Sequence, residues 1–195
     1  MNYSVLNKEL TVIILAGGQS ARMGTDKGLL SVQGVSFIQK LVKKANSFCG
    51  QTLISVGKHN QEAYANLNVD LVVDENAKMG PIGGIVSALK RVKTPWFMLI
   101  SVDSPWVSEV AMSALWQAKK GFDGVLLASP HNVHPLVGVY HRKTFLIWET
   151  ALKEGNLRVM SVIAKLNVNT VSQDVVNINT REDFKAMNTE GWNES

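Results

Sequence analysis

The chain of 195 residues has a single cysteine, Cys49. It can form no internal disulfide and assemble no thiolate zinc site, and a reducing compartment suits it. No apolar run approaches the ~20 residues of a membrane span. The opening stretch MNYSVLNKELTVIILAGG has an apolar segment too short for a signal peptide and no cleavage-type site after it. A cytoplasmic protein without membrane attachment is expected. Basic residues are scattered, as in Lys40, Lys43 and Lys44, Arg91 and Lys93, or Lys119 and Lys120. No run reaches the roughly five or six like charges of a nucleic-acid tail, so no nucleic-acid partner is expected. His59, His131, His134 and His141 show no metal-binding spacing, and no serine or cysteine carries a nucleophile-elbow pattern. A covalent enzyme intermediate is therefore not indicated.

What remains suits a globular enzyme. Hydrophobic residues make up 46% and charged residues 18%, enough for a sizeable core, and the net charge of +4 suits an anionic ligand. Val12–Ala16, Gln51–Val56, Val69–Val73 and Trp96–Val102 are short apolar runs that read as strands buried on both faces. Helical spacing recurs between them: at Phe37, Ile38, Leu41, Val42 and Ala45, over Gln61–Asn66, and at Ile82, Ile85, Val86, Leu89 and Val92 after a GPIGG loop. Strand–helix alternation with short links implies parallel pairing through right-handed crossovers.

The second half is less regular. A helical stripe covers Val107–Ala118, with strands at Gly124–Ser129 and Pro135–Tyr140. Helices are expected over Arg142–Lys153 and Asn156–Lys165, strands near Val168 and Val176, and a last helix from Thr180, with Asp183 in its capping position. The expected fold class is α/β: one Rossmann-like open sheet, mostly parallel, with helices on both faces. A single domain is expected, with a nucleotide-binding half over about 8–106 and an acceptor-binding half over about 107–195. Ligands of such sheets bind beyond the carboxyl ends of the strands, which here are Gly17-Gly18, Asp74 and Asp103.

The stretch ILAGGQSARMGTDKG, Ile14–Gly28, follows the first strand. It lacks the spacing of a P-loop, because Gly24 is followed by Thr25, and it lacks the dinucleotide fingerprint GxGxxG. A third reading is a loop wrapped around a nucleoside triphosphate. Glycines at a strand end let the backbone approach a nucleoside closely, and exposed N–H groups form an anion nest. Arg22 then offers a planar fork to phosphate oxygens, and Lys27 a point charge.

This stretch resembles the signature LAGG-x-x-x-R-M-G-x-D-K of small nucleotidyltransferases, and within them most nearly the molybdenum cofactor guanylyltransferases. The resemblance continues through Gly80-Pro81-Ile82-Gly83-Gly84-Ile85, Val102-Asp103-Ser104-Pro105, His134-Pro135-Leu136, Arg158-Val159-Met160 and Asn177-Ile178-Asn179-Thr180, in order along nearly the whole chain. It implies transfer of GMP from GTP to the terminal phosphate of Mo-molybdopterin, with pyrophosphate leaving. It implies Mg²⁺ as cofactor, with Asp103 as its ligand, since Mg²⁺ on a triphosphate is usually held by one or two carboxylates plus phosphate oxygens and water. A helix N-cap or turn role for Asp103 is the competing reading.

Arg22, Lys27 and Asp103 are the implied catalytic residues. Leu15, Ala16, Gly17, Gly18, Gly24, Ser55, Asp74, Gly80 and Gly84 are the implied nucleotide contacts, and Arg158, Asn177, Asn179 and His134-Pro135 the acceptor side. Asp74 could accept from guanine N1–H and N2–H₂, though a ribose or water contact is equally physical. Ser55 stands where the family often has asparagine, and an ordinary strand-end serine is the alternative. Other molybdenum-cofactor biosynthesis and target-enzyme chaperone proteins are implied partners, and the chain is expected to be a monomer. CTP in place of GTP, a sugar-phosphate acceptor, or a non-catalytic nucleotide-binding delivery role are the alternatives. Trp96, Trp106, Trp116 and Trp148 are read as packing residues, with Trp106 placed to line the cleft if any is.

Overall fold

The computed structural model describes residues 7–17, 26–130 and 132–173. Gly18, Arg22, Gly24, His131, Asn177 and Asn179 lie outside the described residues, as do the strand expected near Val176 and the helix expected from Thr180.

The first strand, β1 (Asn7–Leu15), is longer than its apolar run. After the glycine stretch come a small hairpin of β2 (Ser31–Val32) and β3 (Val35–Ser36), then α1 (Phe37–Phe48). Ser36 and Gln39 close a capping box at the start of α1. β4 (Cys49–Val56), α2 (Gln61–Tyr64) and β5 (Asp70–Val73) follow. Next are α3 (Gly80–Leu89), β6 (Trp96–Ser101), α4 (Glu109–Gln117) and β7 (Gly124–Ser129). The described chain ends with β8 (Asn132–His141), α5 (Phe145–Lys153), α6 (Val159–Ile163) and β9 (Val168–Ser172).

The strand order of the main sheet is β5-β4-β1-β6-β8-β7-β9. β1, β4, β5 and β6 are parallel, as the apolar runs predict, and β7 and β9 are parallel to each other. Among the described strands of this sheet, β8 alone runs against its neighbours, β6 and β7. The α/β class with a mostly parallel open sheet therefore holds.

Both faces are covered, which is why the strands are apolar without alternation. Val12, Ile14, Met98 and Ile100 face one layer, where Ile38 and Leu41 of α1, Tyr64 of α2, and Met112 and Leu115 of α4 are buried. Ile13, Phe97 and Leu99 face the other, with Ile85 and Val86 of α3, Trp148 of α5 and Val162 of α6.

Two expectations are corrected. GPIGG is the first turn of α3 rather than a loop: Gly80 turns the chain at φ +58, Pro81 occupies the helix start, and burial of Ile82, Ile85 and Leu89 overrides the low helix propensity of Gly83 and Gly84. The helix expected over Asn156–Lys165 shortens to α6, because Gly155 is left-handed at φ +67 and the Asn156 side chain accepts from the Arg158 N–H at 3.1 Å. That local turn takes the residues the first helical turn would have used.

Candidate active site at the carboxyl rim of the sheet

From β1 the chain winds outward through β4 to β5, then returns to place β6 on the other side of β1. The direction of winding reverses between β1 and β6, where an open α/β sheet leaves a crevice for ligands. Bonding runs just past the strand ends there. Ala16 N donates to Ser55 O at 2.8 Å, Asp74 N to Val56 O at 2.7 Å, and Val102 N to Leu15 O at 3.1 Å. Gly17, Asp74 and Asp103 therefore leave the sheet at one rim. A Cβ on Gly17 would stand 3.2 Å from Gly57 N, so the first glycine lets β1 and β4 close up at their tips. Leu15 and Ala16 are buried in that junction.

Lys27 begins a single 3-10 turn, Lys27–Leu29. Its neighbour Asp26 is the hub of the region. Asp26 Oδ1 accepts from Gly28 N at 2.9 Å and from the Tyr64 hydroxyl at 2.6 Å, and Oδ2 accepts from Asn60 Nδ2 at 2.6 Å. Asn60 Nδ2 also donates to Ala16 O at 2.9 Å, while its Oδ1 accepts from Gly57 N at 2.8 Å. Burial, and then the bond to Asp26, push the Tyr64 phenol far above its ordinary range. Sequence reasoning misses Asn60 and Tyr64. The available signal, an asparagine ahead of a short helix, suggests a cap, but Asn60 makes no side-chain cap bond to α2.

Asp103 lies in the turn after β6, half-buried, with the Ser104 hydroxyl 3.5 Å from its Oδ1. The N-cap reading fails, because the next helix is capped by Ser108, whose side chain accepts from Ala111 N. The β6/β8 register runs from Trp96↔His141 to Ile100↔Val137, and beyond it the pairing of β8 with β7 shifts between Gly138 and His134. Burial lowers the His134 pKa, and the Asp103 carboxylate pulls it part of the way back. His134 Nε2 lies 3.2 Å from the Ser129 hydroxyl. Among the described residues no group of three or more His, Cys, Asp or Glu could hold a metal ion. A carboxylate at a half-open rim, without a protein cage, fits Mg²⁺ that keeps its waters and phosphate oxygens.

Asp74 and Ser55 sit lower. Asp74 is 4% exposed and Ser55 1%. Asp74 Oδ1 accepts from Asn76 N at 2.7 Å, and burial raises the carboxyl pKa. The first turn of α3 lies directly over both. A Cβ on Gly83 would reach 2.6 Å from Asn76 O and 2.8 Å from Asp74 Oδ1, and one on Gly84 would reach 2.6 Å from the Ser55 hydroxyl. Met79 supplies no side-chain cap to this helix, and Pro81 in its first turn has no N–H to satisfy. Arg158 is exposed in the α5–α6 link. The tryptophans pack: Trp106 is edge-on to Phe37 at 5.1 Å, Trp96 to Trp116 at 6.5 Å, and Trp148 is fully buried. No described helix is long and apolar enough to cross a membrane.

Comparisons with known proteins agree with this fold. Residues 12–170 match the family model described as MobA-like NTP transferase domain. A probable molybdenum cofactor guanylyltransferase of Flavobacterium johnsoniae is 32% identical over 181 residues, covering 92% of this chain and 90% of the relative. One from Aquifex aeolicus is 31% identical over 186 residues, with the same coverage of 92% and 90%. Among solved structures, molybdopterin-guanine dinucleotide biosynthesis protein A of Archaeoglobus fulgidus superposes with a TM-score of 0.79 at 22% identity, covering 92% of this chain and 97% of that one.

Proposed function

The chain belongs to the MobA-like NTP transferase family and is a nucleotidyltransferase, and from that premise we propose that it transfers GMP from GTP to the terminal phosphate of Mo-molybdopterin. The observation that carries this reading is the crevice between β1 and β6, with the Lys27 turn on one lip and Asp103, whose charge acts on His134, on the other.

In the proposed reaction an oxygen of the acceptor's terminal phosphate attacks the α-phosphorus of GTP. The new P–O bond forms as the bond to the bridging α,β-oxygen breaks, and pyrophosphate leaves with that electron pair. The work of the chain is positioning and charge neutralisation. Gly17 lets the backbone approach the nucleoside, and Lys27 and Arg22 hold the triphosphate oxygens. Gly18 and Gly24 belong to the same stretch. Asp103 holds Mg²⁺, which supplies positive charge to the triphosphate when bound. Asp74 and Ser55 serve the nucleotide by seating Gly80–Gly84, the α3 terminus. Arg158, with Asn177 and Asn179, meets the anionic acceptor.

The test is pyrophosphate release with Mg²⁺, GTP and the pterin acceptor. Asp103→Asn should lower turnover by roughly 10²–10³, the loss typical of one preorganised electrostatic contact. The half-exposed carboxylate should leave folding unchanged. Near-normal turnover by Asp103→Asn would overturn the assignment.

A further inference from the structure

The hydrogen bonds around Asp26 do more than close a turn. Residues 18–25 separate Ala16-Gly17, at the tip of β1, from Asp26. One side chain holds both sides of that segment: Asn60 Nδ2 donates to Ala16 O at 2.9 Å and to Asp26 Oδ2 at 2.6 Å. Its Oδ1 is fixed in turn by Gly57 N at 2.8 Å. An asparagine immediately before a helix would ordinarily cap that helix, yet Asn60 makes no such bond. These three bonds face the β1 tip, the β4 end and Asp26 instead.

Tyr64 makes the same case independently. Its ring is fully buried in the core layer that also holds Ala16, Val56 and Val102, where phenylalanine would pack as well. The hydroxyl is what phenylalanine would lack. It donates to Asp26 Oδ1, and it lies so close beneath Gly28 that a Cβ there would collide with it. The turn that carries Lys27 therefore rests on the Tyr64 hydroxyl and hangs from Asp26. Gly28 N, the Tyr64 hydroxyl and Asn60 Nδ2 together engage both oxygens of the Asp26 carboxylate, so its plane as well as its position is set.

We propose that Asp26, Asn60 and Tyr64 form a clip that seats the Lys27 turn against the β1 tip, so that Asn60 and Tyr64 are positioning residues for the triphosphate-binding lysine. The inference rests on the nucleotidyl-transfer reading for the role of Lys27. The clip acts through Lys27 and touches no substrate.

A double-mutant cycle tests it, with wild type, Tyr64→Phe, Lys27→Ala and the double variant compared by thermal unfolding and by pyrophosphate release. Tyr64→Phe should stay folded and lose about 10- to 100-fold in kcat/KM for GTP, the value of one hydrogen bond to a charged group. KM for the acceptor should stay unchanged. In the Lys27→Ala background the same substitution should change kcat/KM by less than about threefold, because residues acting as a unit are non-additive. Asn60→Ala should repeat the pattern.

A full, multiplicative loss in the Lys27→Ala background overturns the clip. So does a lower Tm for Tyr64→Phe with turnover and KM intact, the mark of a merely structural hydroxyl. Failure of the wild type to release pyrophosphate would instead sink the nucleotidyl-transfer reading of this site. The same cycle run on GTP dissociation constants would then still decide the clip.

Discussion

Gly83→Ala probes how tightly the first turn of α3 sits on the rim. A Cβ at this position would stand 2.6 Å from Asn76 O and 2.8 and 3.0 Å from the two Asp74 carboxylate oxygens, well short of ordinary contact. Neither neighbour is free to yield. Asn76 O accepts from Met79 N at 2.7 Å, and Asn76 N donates to Asp74 Oδ1 at 2.7 Å. Asp74 itself is buried. Overpacking of this kind costs about 1–3 kcal/mol, whereas alanine in place of glycine inside a helix returns ~1 kcal/mol. With a backbone carbonyl as the obstacle the steric cost falls in the upper part of that range, about 2–3 kcal/mol, leaving a net loss of about 1–2 kcal/mol. For a chain of this size that lowers Tm by roughly 2–8 °C. Urea denaturation and thermal unfolding, with the urea m-value unchanged, would measure it. A Tm equal to or above wild type, as at an unobstructed helical glycine, would refute the close packing of α3 on Asp74.

Two further predictions concern the same floor. Gly84→Ala meets the Ser55 hydroxyl at 2.6 Å, but its next neighbours, Ser55 Cβ and Asp74 Oδ2, lie at 3.7 Å. It should destabilise the wild type by ~1 kcal/mol and stabilise a Ser55→Ala background by up to ~1 kcal/mol; the same sign in both denaturation series contradicts the contact. Asp74 holds its proton more tightly folded than unfolded, because burial raises its pKa above the ordinary 3.8. Between those two values the native state binds more protons, so this group's contribution to stability falls as pH rises through the window. Relative to wild type, Asp74→Asn should therefore gain stability as pH rises from below 3.8, and a parallel pair of stability–pH curves would contradict it.

The physics of the sequence reaches the layers further than the joints. β1, β4, β5 and β6 are legible because strands covered on both faces must be continuously apolar, and α1 because Phe37, Ile38, Leu41 and Ala45 mark one buried stripe. The reversal of β8 is not, because its residues look the same in either direction. The β2–β3 hairpin is invisible because two-residue strands carry no period. The start of α3 is hidden because glycine propensity is local, whereas the burial that overrides it depends on the whole fold. At the site, strand-end aspartates are readable from the rule that ligands lie beyond the carboxyl ends. The Asp26 clip is not, since its partners stand 34 and 38 residues away. His134 reads in the sequence only toward the acceptor, whereas in the fold it also feels the Asp103 carboxylate.

Guanylyl transfer to the pterin phosphate is tested most directly by mixing the purified protein with Mg²⁺, molybdenum-loaded pterin cofactor and equal concentrations of GTP and CTP, then identifying the nucleotide joined to the pterin. The expected product is a guanine dinucleotide with matching pyrophosphate. A cytosine dinucleotide, or an intact pterin with no nucleotide attached, would contradict the proposed reaction.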